Sequence, residues 1–361
     1  MNGNSLTKNG ALEMEPIHSE EEQLPTQTPV QFLHSLSALI VAYASYYRGI
    51  TASLLAACFI LLVVISLDAL TSHAHAKFHH LSKDYSSIPS LYELKMAHID
   101  HWCLQGGDND CKCNDPTVPL SREEVKGWTK THLLNKLQSQ QNTNWDVVLL
   151  GDEFVQDFTG RILNQPNADL KNVYKYWNAT FTLDGGGGSV DGVALGISGD
   201  TISNLFWRIQ HGELPESKVY WIHIGTNDFG IGMCSEESVL LGILRLAELI
   251  HQEQPDSVIV LNSILPRQDN LKQVSGNAVL WSAIQEVNHQ LEKFCMNHEH
   301  LVYFDASPLF VNSNLKKNPN LRNPMYLNDK FHLSLQGHTT WGNAILERLK
   351  LILYDDDETS S

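Results

Sequence analysis

Residues 146–153 read Asp-Val-Val-Leu-Leu-Gly-Asp-Glu, an apolar run closed by a Gly-Asp turn. Consecutive aliphatic side chains leave no polar face, which is what a strand covered on both sides looks like. Gly151 and Asp152 are turn formers, so the chain is expected to leave the strand there. Similar short runs recur at Val193–Leu195, Val219–Ile224, Val258–Ile264 and Leu301–Phe304. Between them, Glu236–Gln254, Ala278–Met296 and Gln336–Leu353 have helical length and spacing. Strands alternating with helices predict βαβ units, hence an α/β fold with three α/β/α layers and a parallel sheet over 115–354. Ser121-Arg122-Glu123-Glu124 has the form of a capping box and is expected to open a helix carrying Val125, Trp128, Leu133 and Leu137.

Composition narrows the function classes. The 361 residues include 41 acidic against 25 basic side chains, a formal net charge of −16. Without a basic stripe to displace counterions, nucleic acid is not an expected partner. A hydrophobic fraction of 42% with 18% charged residues is that of a folded chain.

Upstream of the domain, the run GITASLLAACFILLVVISL at 49–67 carries no charge and is long enough to span a bilayer. A transmembrane anchor over 49–70 is therefore expected, and cleavage after Ala76, in the Ala74-His75-Ala76 pattern, is the alternative. Residues 1–28 are acidic, lack apolar periodicity and read as a disordered tail; 29–48 reads as a juxtamembrane segment and 355–361 as a second acidic tail. Arg48 on one side of the anchor and Lys77 and Lys83 on the other do not decide its orientation. The sequon Asn178-Ala179-Thr180 favours a lumenal or extracellular C-terminal part, in a single-pass protein of the secretory pathway or cell surface. Residues 71–114 read as a stalk containing His73, His75, His79 and His80, without the scaffold a metal site needs. Of six cysteines, Cys103, Cys111 and Cys113 suggest a local disulfide, and a Cys234–Cys295 bridge is the other candidate.

Ligands of open parallel sheets bind beyond the carboxyl ends of the strands. The loops found there are Gly151-Asp152-Glu153, Gly196-Ile197-Ser198-Gly199-Asp200 and Gly225-Thr226-Asn227-Asp228, with Asp329-Lys330-Phe331-His332 just before the last helix. In this order the blocks resemble those of the SGNH (GDSL-like) hydrolase superfamily. The continuation LFWRIQHGELP, with Leu265-Pro266-Arg267, is most similar to the subgroup that includes the platelet-activating-factor acetylhydrolase catalytic subunits.

The resemblance implies a flavodoxin-like fold and an ester hydrolase acting on a small-molecule ester such as an acetyl ester of a lipid or sugar. It implies that the Gly199 N–H and the Asn227 side chain donate to an oxyanion, and that Asp329 orients His332 as general base. A carboxylate three residues before a histidine can hold the ring by its Nδ1 hydrogen and fix the tautomer. No metal or organic cofactor is implied.

The departure is Glu153, which stands where the family has its nucleophilic Ser. A carboxylate cannot be activated by an imidazole as a hydroxyl is, and would form an anhydride in place of an acyl-enzyme. Three readings stay open: a non-catalytic relative that binds an ester, lipid or carbohydrate ligand, a hydrolase in which Glu153 activates water, and attack by Ser198. Gly185–Gly188 reads as a loop near the site, and Trp207 and Arg208 as helix packing and a charge on the cleft rim.

Overall fold

The structure is a computed structural model that describes residues 113–183, 187–232, 234–267, 277–311, 321–327, 329 and 331–354, with residues 34, 37, 38, 41 and 60–63 further upstream. The chain divides into two units, Met1–Ala74 and His75–Ser361. In the first, the described residues are helical, and Ile60, Leu61 and Leu62 are exposed. Among the described residues no helix is long and apolar enough to cross a membrane. The acidic tails and most of the segments read as juxtamembrane, anchor and stalk lie outside the described residues.

In the second unit, five parallel strands form the sheet: β1 (Trp145–Gly151), β2 (Gly192–Gly196), β3 (Ser217–His223), β4 (Val258–Asn262) and β5 (Leu301–Phe304), in the order β2-β1-β3-β4-β5. This is a doubly wound order, with a switch point between β1 and β3. The uninterrupted apolar runs are explained by two cores. Val148, Leu150, Val193, Leu195, Tyr220 and Ile222 face one layer, packing with α3 (Ile202–Gln210), α4 (Glu236–Glu253) and α5 (Asn277–Met296). Val147, Leu149, Ala194, Val219 and Trp221 face the other, with α2 (Lys171–Phe181) and α6 (Leu335–Tyr354). In α2 the residues Val173, Trp177 and Phe181, four apart, form the buried stripe.

The expected capping box does not open a helix. Residues 122–128 form turns, with Val125 N–H donating to the Arg122 carbonyl and Trp128 N–H to that of Val125. The helix α1 (Trp128–Ser139) starts after Gly127, whose φ of 94° ends the turns. A Cβ at Gly127 would stand 2.6 Å from the Leu163 carbonyl oxygen, so the close approach also requires glycine. Nor is α1 the expected apolar helix: Leu133 and Leu137 are exposed, while Trp128, Thr131, His132, Asn135 and Ser139 are buried. The polar face is the inward one because it serves the site below.

The expected Cys234–Cys295 bridge does not form, and Cys113 does not take part in a local disulfide; Cys103 and Cys111 lie outside the described residues. Cys113 is bonded to Cys234, across 121 residues of sequence, and Cys295 is free and buried. The crosslink ties the start of the domain, which the sequence placed in the stalk, to the loop before α4. Burial pushes the Cys295 thiol up to about 12.

Candidate active site

The chain leaves β1 at Gly151, where a Cβ would lie 2.2 Å from the His223 carbonyl oxygen of the neighbouring strand. Asp152 then caps the helical turn Glu153–Gln156, its Oδ1 accepting from the Phe154 N–H at 3.2 Å. Glu153 therefore stands at the carboxyl end of β1, buried to 4% exposure. Its Oε2 accepts two hydrogen bonds, from the Gly199 N–H at 2.8 Å and from Asn227 Nδ2 at 2.9 Å. Its Oε1 is buried and has no hydrogen-bond partner among the described residues. Gly199 presents its N–H from a turn with φ of 79°, a left-handed conformation that favours glycine. Asn227 sits on the helical turn Thr226–Gly230 after β3, and its Nδ2 also donates to the Asp200 carbonyl at 3.0 Å.

The structure thus brings Glu153, Gly199 and Asn227 into direct contact. Asp329 and His332 form their own pair, Asp329 Oδ2 lying 2.8 Å from His332 Nδ1. Asp329 Oδ1 accepts from the Phe331 and His332 N–H groups at 2.9 and 3.0 Å. Partial burial raises the Asp329 carboxyl, but the hydrogen bonds from His332 and the two N–H groups outweigh it and hold the group below its ordinary value. The pair is half exposed and makes no hydrogen bond to Glu153. Its loop is seated beside the site through rings: Phe331 lies 5.5 Å from Phe154, and the Arg267 guanidinium stands 4.6 Å over Phe331. Arg267 Nη1 also donates to the Thr226 carbonyl at 3.1 Å, linking the Asn227 turn to the His332 loop.

Beneath the contact lies a group of buried carboxyls. Burial, reinforced by the neighbouring Asp152, pushes Glu153 up to about 7. Burial likewise raises Asp152 to about 8 and Asp228 to about 7. Buried His223, 3.7 Å from Asp152, is lowered to about 4 and is neutral at physiological pH.

Arg208, expected on the cleft rim, is instead fully buried and organises the floor. It pairs with Asp200 at 2.8 Å and with Glu213, and donates to the Gly151 carbonyl at 2.8 Å and the Leu195 carbonyl at 3.1 Å. The ends of β1 and β2 are thereby clipped together. Asp200 is held further by Trp128 Nε1 at 2.7 Å and Arg122 Nη1 at 3.0 Å, and Arg122 also donates to the Ser198 carbonyl at 3.1 Å. His132 and Asn135 complete the network on Glu213, at 2.6 and 3.2 Å. These residues escape sequence reasoning because no short spacing joins them. The polar inward stripe of α1 is the one local signal, visible only once its burial is known.

The GDSL-like Lipase/Acylhydrolase family matches residues 149–340, and the chain belongs to it. The platelet-activating factor acetylhydrolase IB subunit alpha1 of Bos taurus is 26% identical over 250 residues, covering 67% of this chain and 92% of the relative. The alpha2 subunit of Gallus gallus is 26% identical over 209 residues, covering 55% and 77%. Among solved structures, a GDSL-like lipase from Bacteroides thetaiotaomicron aligns with a TM-score of 0.48 and 18% identity, over 63% of this chain and 100% of its own. A carbohydrate esterase from Talaromyces cellulolyticus aligns at 0.40 and 18%, over 58% and 98%.

Proposed function

We propose that this chain is a membrane-anchored member of its family whose site binds an ester, lipid or carbohydrate ligand without acyl-enzyme chemistry. The observation that carries this reading is the double hydrogen bond of Glu153 Oε2 to the Gly199 N–H and Asn227 Nδ2. Those two donors are the pair that would receive the oxyanion of a tetrahedral intermediate, each worth about 2.7 to 4 kcal/mol in the transition state. With the carboxylate of Glu153 seated there, an ester carbonyl has no donors to enter. Position 153 also offers no hydroxyl to form an acyl-enzyme, a loss that costs about 10⁶ in kcat in serine hydrolases.

The setting is the secretory lumen or the cell surface, with the anchor at 49–70 and the C-terminal domain outside the cytosol. The Cys113–Cys234 disulfide supports this, since such bonds persist in oxidising compartments. So does the partly exposed position of Asn178 in its sequon.

A second reading has its own observation. Glu153 is held near 7 with Oε1 unpartnered, the protonation range of a general base. Here Glu153 takes a proton from water, the hydroxide adds to the carbonyl, and the leaving alkoxide takes a proton from His332. This route requires Oε2 to leave Gly199 and Asn227 first.

Glu153→Ser separates the readings. Emptying the two donors and supplying a hydroxyl should create esterase activity on p-nitrophenyl acetate and covalent labelling by a fluorophosphonate, both absent from the wild type. Wild-type turnover without labelling, abolished by Glu153→Gln, would establish the water route and refute the binding reading.

A further inference from the structure

A second concave site lies along the free edge of the sheet. It is a groove of about 1240 Å³ bounded by strand β2, helices α1 and α2 and the short hairpin Arg161–Ile162/Gln165–Pro166. Neither Glu153, Gly199, Asn227, Asp329 nor His332 lines it. Its chemistry differs from that of the acidic site: among its described residues eight of the side chains lining it are Asn or Gln, and Arg161, Lys171 and Asp191 are the charged ones.

The amides have hydrogen-bonding capacity to spare. Gln138, Gln141, Asn164 and Asn178 make no side-chain hydrogen bond to another described residue. Each presents a carbonyl acceptor and two N–H donors on one rigid plane. An aromatic face lies among them: Tyr174 is 45% exposed, one turn before Trp177, which is itself buried against Phe158 and Phe181.

The hairpin wall is built under strain. Leu163 and Asn164 both have positive φ, 42° and 69°, and a leucine in that region is unfavourable without compensation. The compensation comes from buried Gln156, whose Oε1 accepts from the Leu163 N–H at 3.3 Å and also from the Ser198 N–H at 2.9 Å. One side chain thus fixes both the groove wall and the loop that carries Gly199.

We propose that this groove binds a neutral oligosaccharide. Vicinal sugar hydroxyls pair with planar amides that donate and accept together, the apolar face of a pyranose covers an exposed aromatic ring, and a lining in which amides outnumber charged side chains suits an uncharged ligand. The glycan has two sources, another molecule or the chain's own Asn178, which lines the groove and belongs to a sequon. The proposal stands independently of the chemistry at Glu153.

The test titrates the full-length chain, in a detergent without a sugar headgroup, with chitohexaose, cellohexaose and mannopentaose, following tryptophan fluorescence. A heparin hexasaccharide is the anionic counter-probe. Two forms are compared, the chain as made and Thr180→Ala, which removes the sequon and leaves the Asn178 amide. Saturable binding of a neutral probe to both forms assigns the groove to a glycan of another molecule. Binding to Thr180→Ala alone assigns it to the chain's own glycan. In either case Tyr174→Ala and Gln141→Ala, introduced into the binding form, should weaken the affinity at least tenfold. Fluorophosphonate labelling of a Glu153→Ser background should be unchanged by them. Absence of binding by all three neutral probes in both forms, preference for heparin, or undiminished affinity in Tyr174→Ala and Gln141→Ala would each overturn the proposal.

Discussion

Replacing Glu153 by glutamine isolates the energetic consequence of burying a carboxyl at the end of β1. The amide oxygen of the variant can still accept from the Gly199 N–H and Asn227 Nδ2, so shape and hydrogen bonds are kept and only the charge is removed. In the folded protein burial, then the Asp152 charge, raises Glu153 from 4.5 to about 7. A raised carboxyl means that the native state holds its proton more tightly than the unfolded chain. Its contribution to stability is fully present below 4.5 and is lost as pH rises towards 7. At pH 8 the wild type therefore carries a penalty of about 3 kcal/mol that the glutamine variant lacks, and at pH 5 a penalty below about 1 kcal/mol. Chemical denaturation followed by tryptophan fluorescence at the two pH values should show a gain for Glu153→Gln at pH 8 that exceeds the gain at pH 5 by roughly 2 kcal/mol. Effects of the substitution unrelated to charge cancel in that difference. If the two values agree, or the variant is less stable than the wild type at pH 8, Glu153 is not a desolvated acid. Gly199 and Asn227 would then hold it as a fully stabilised anion, and the general-base reading would lose its footing.

Arg208→Met leaves Asp200 and Glu213 without their shared cation in a dry site, and should cost about 3 to 5 kcal/mol, read as a lowered Tm. Arg208→Lys should not restore it, because an ammonium cannot reach both carboxylates and two strand-end carbonyls at once. Cys113→Ser with Cys234→Ser releases a crosslink spanning 121 residues, worth about 5 kcal/mol on chain entropy, and a peptide map without reductant should recover the linked pair from the wild type. The full-length chain should stay in the membrane pellet after alkaline carbonate extraction, and release to the supernatant would remove the anchor at 49–70 from the account.

The sheet was legible in the sequence because each of its strands is buried on both faces, so an unbroken apolar run needs no partner to be recognised. Leu301–Phe304 coincides with β5, the runs at 146 and 193 lie within β1 and β2, and those at 219 and 258 overlap β3 and β4 but run one and two residues past their ends. The loops after those strands were legible for a related reason: turns at strand ends demand glycine, Asp or Asn locally, and the resemblance to the SGNH hydrolases then joined Glu153, Gly199 and Asn227 in one site. Helix α2 was also within reach, through Val173, Trp177 and Phe181. What the sequence could not contain is pairing at long range. Arg208 reads as a surface charge on an amphipathic helix until Asp200, Glu213 and the ends of two strands are seen to surround it. The capping box at Ser121 is a local preference that lost to the glycine at 127 and to the pull of Ser198 and Asp200 on Arg122. Cysteine pairing likewise depends on which loops meet, and the bond from Cys113 to Cys234 follows from the chain passing the start of α4. The seating of Glu153 on two donors is tertiary in the same sense, since a carboxylate after β1 acquires that role only when the loops after β2 and β3 aim their N–H groups at it.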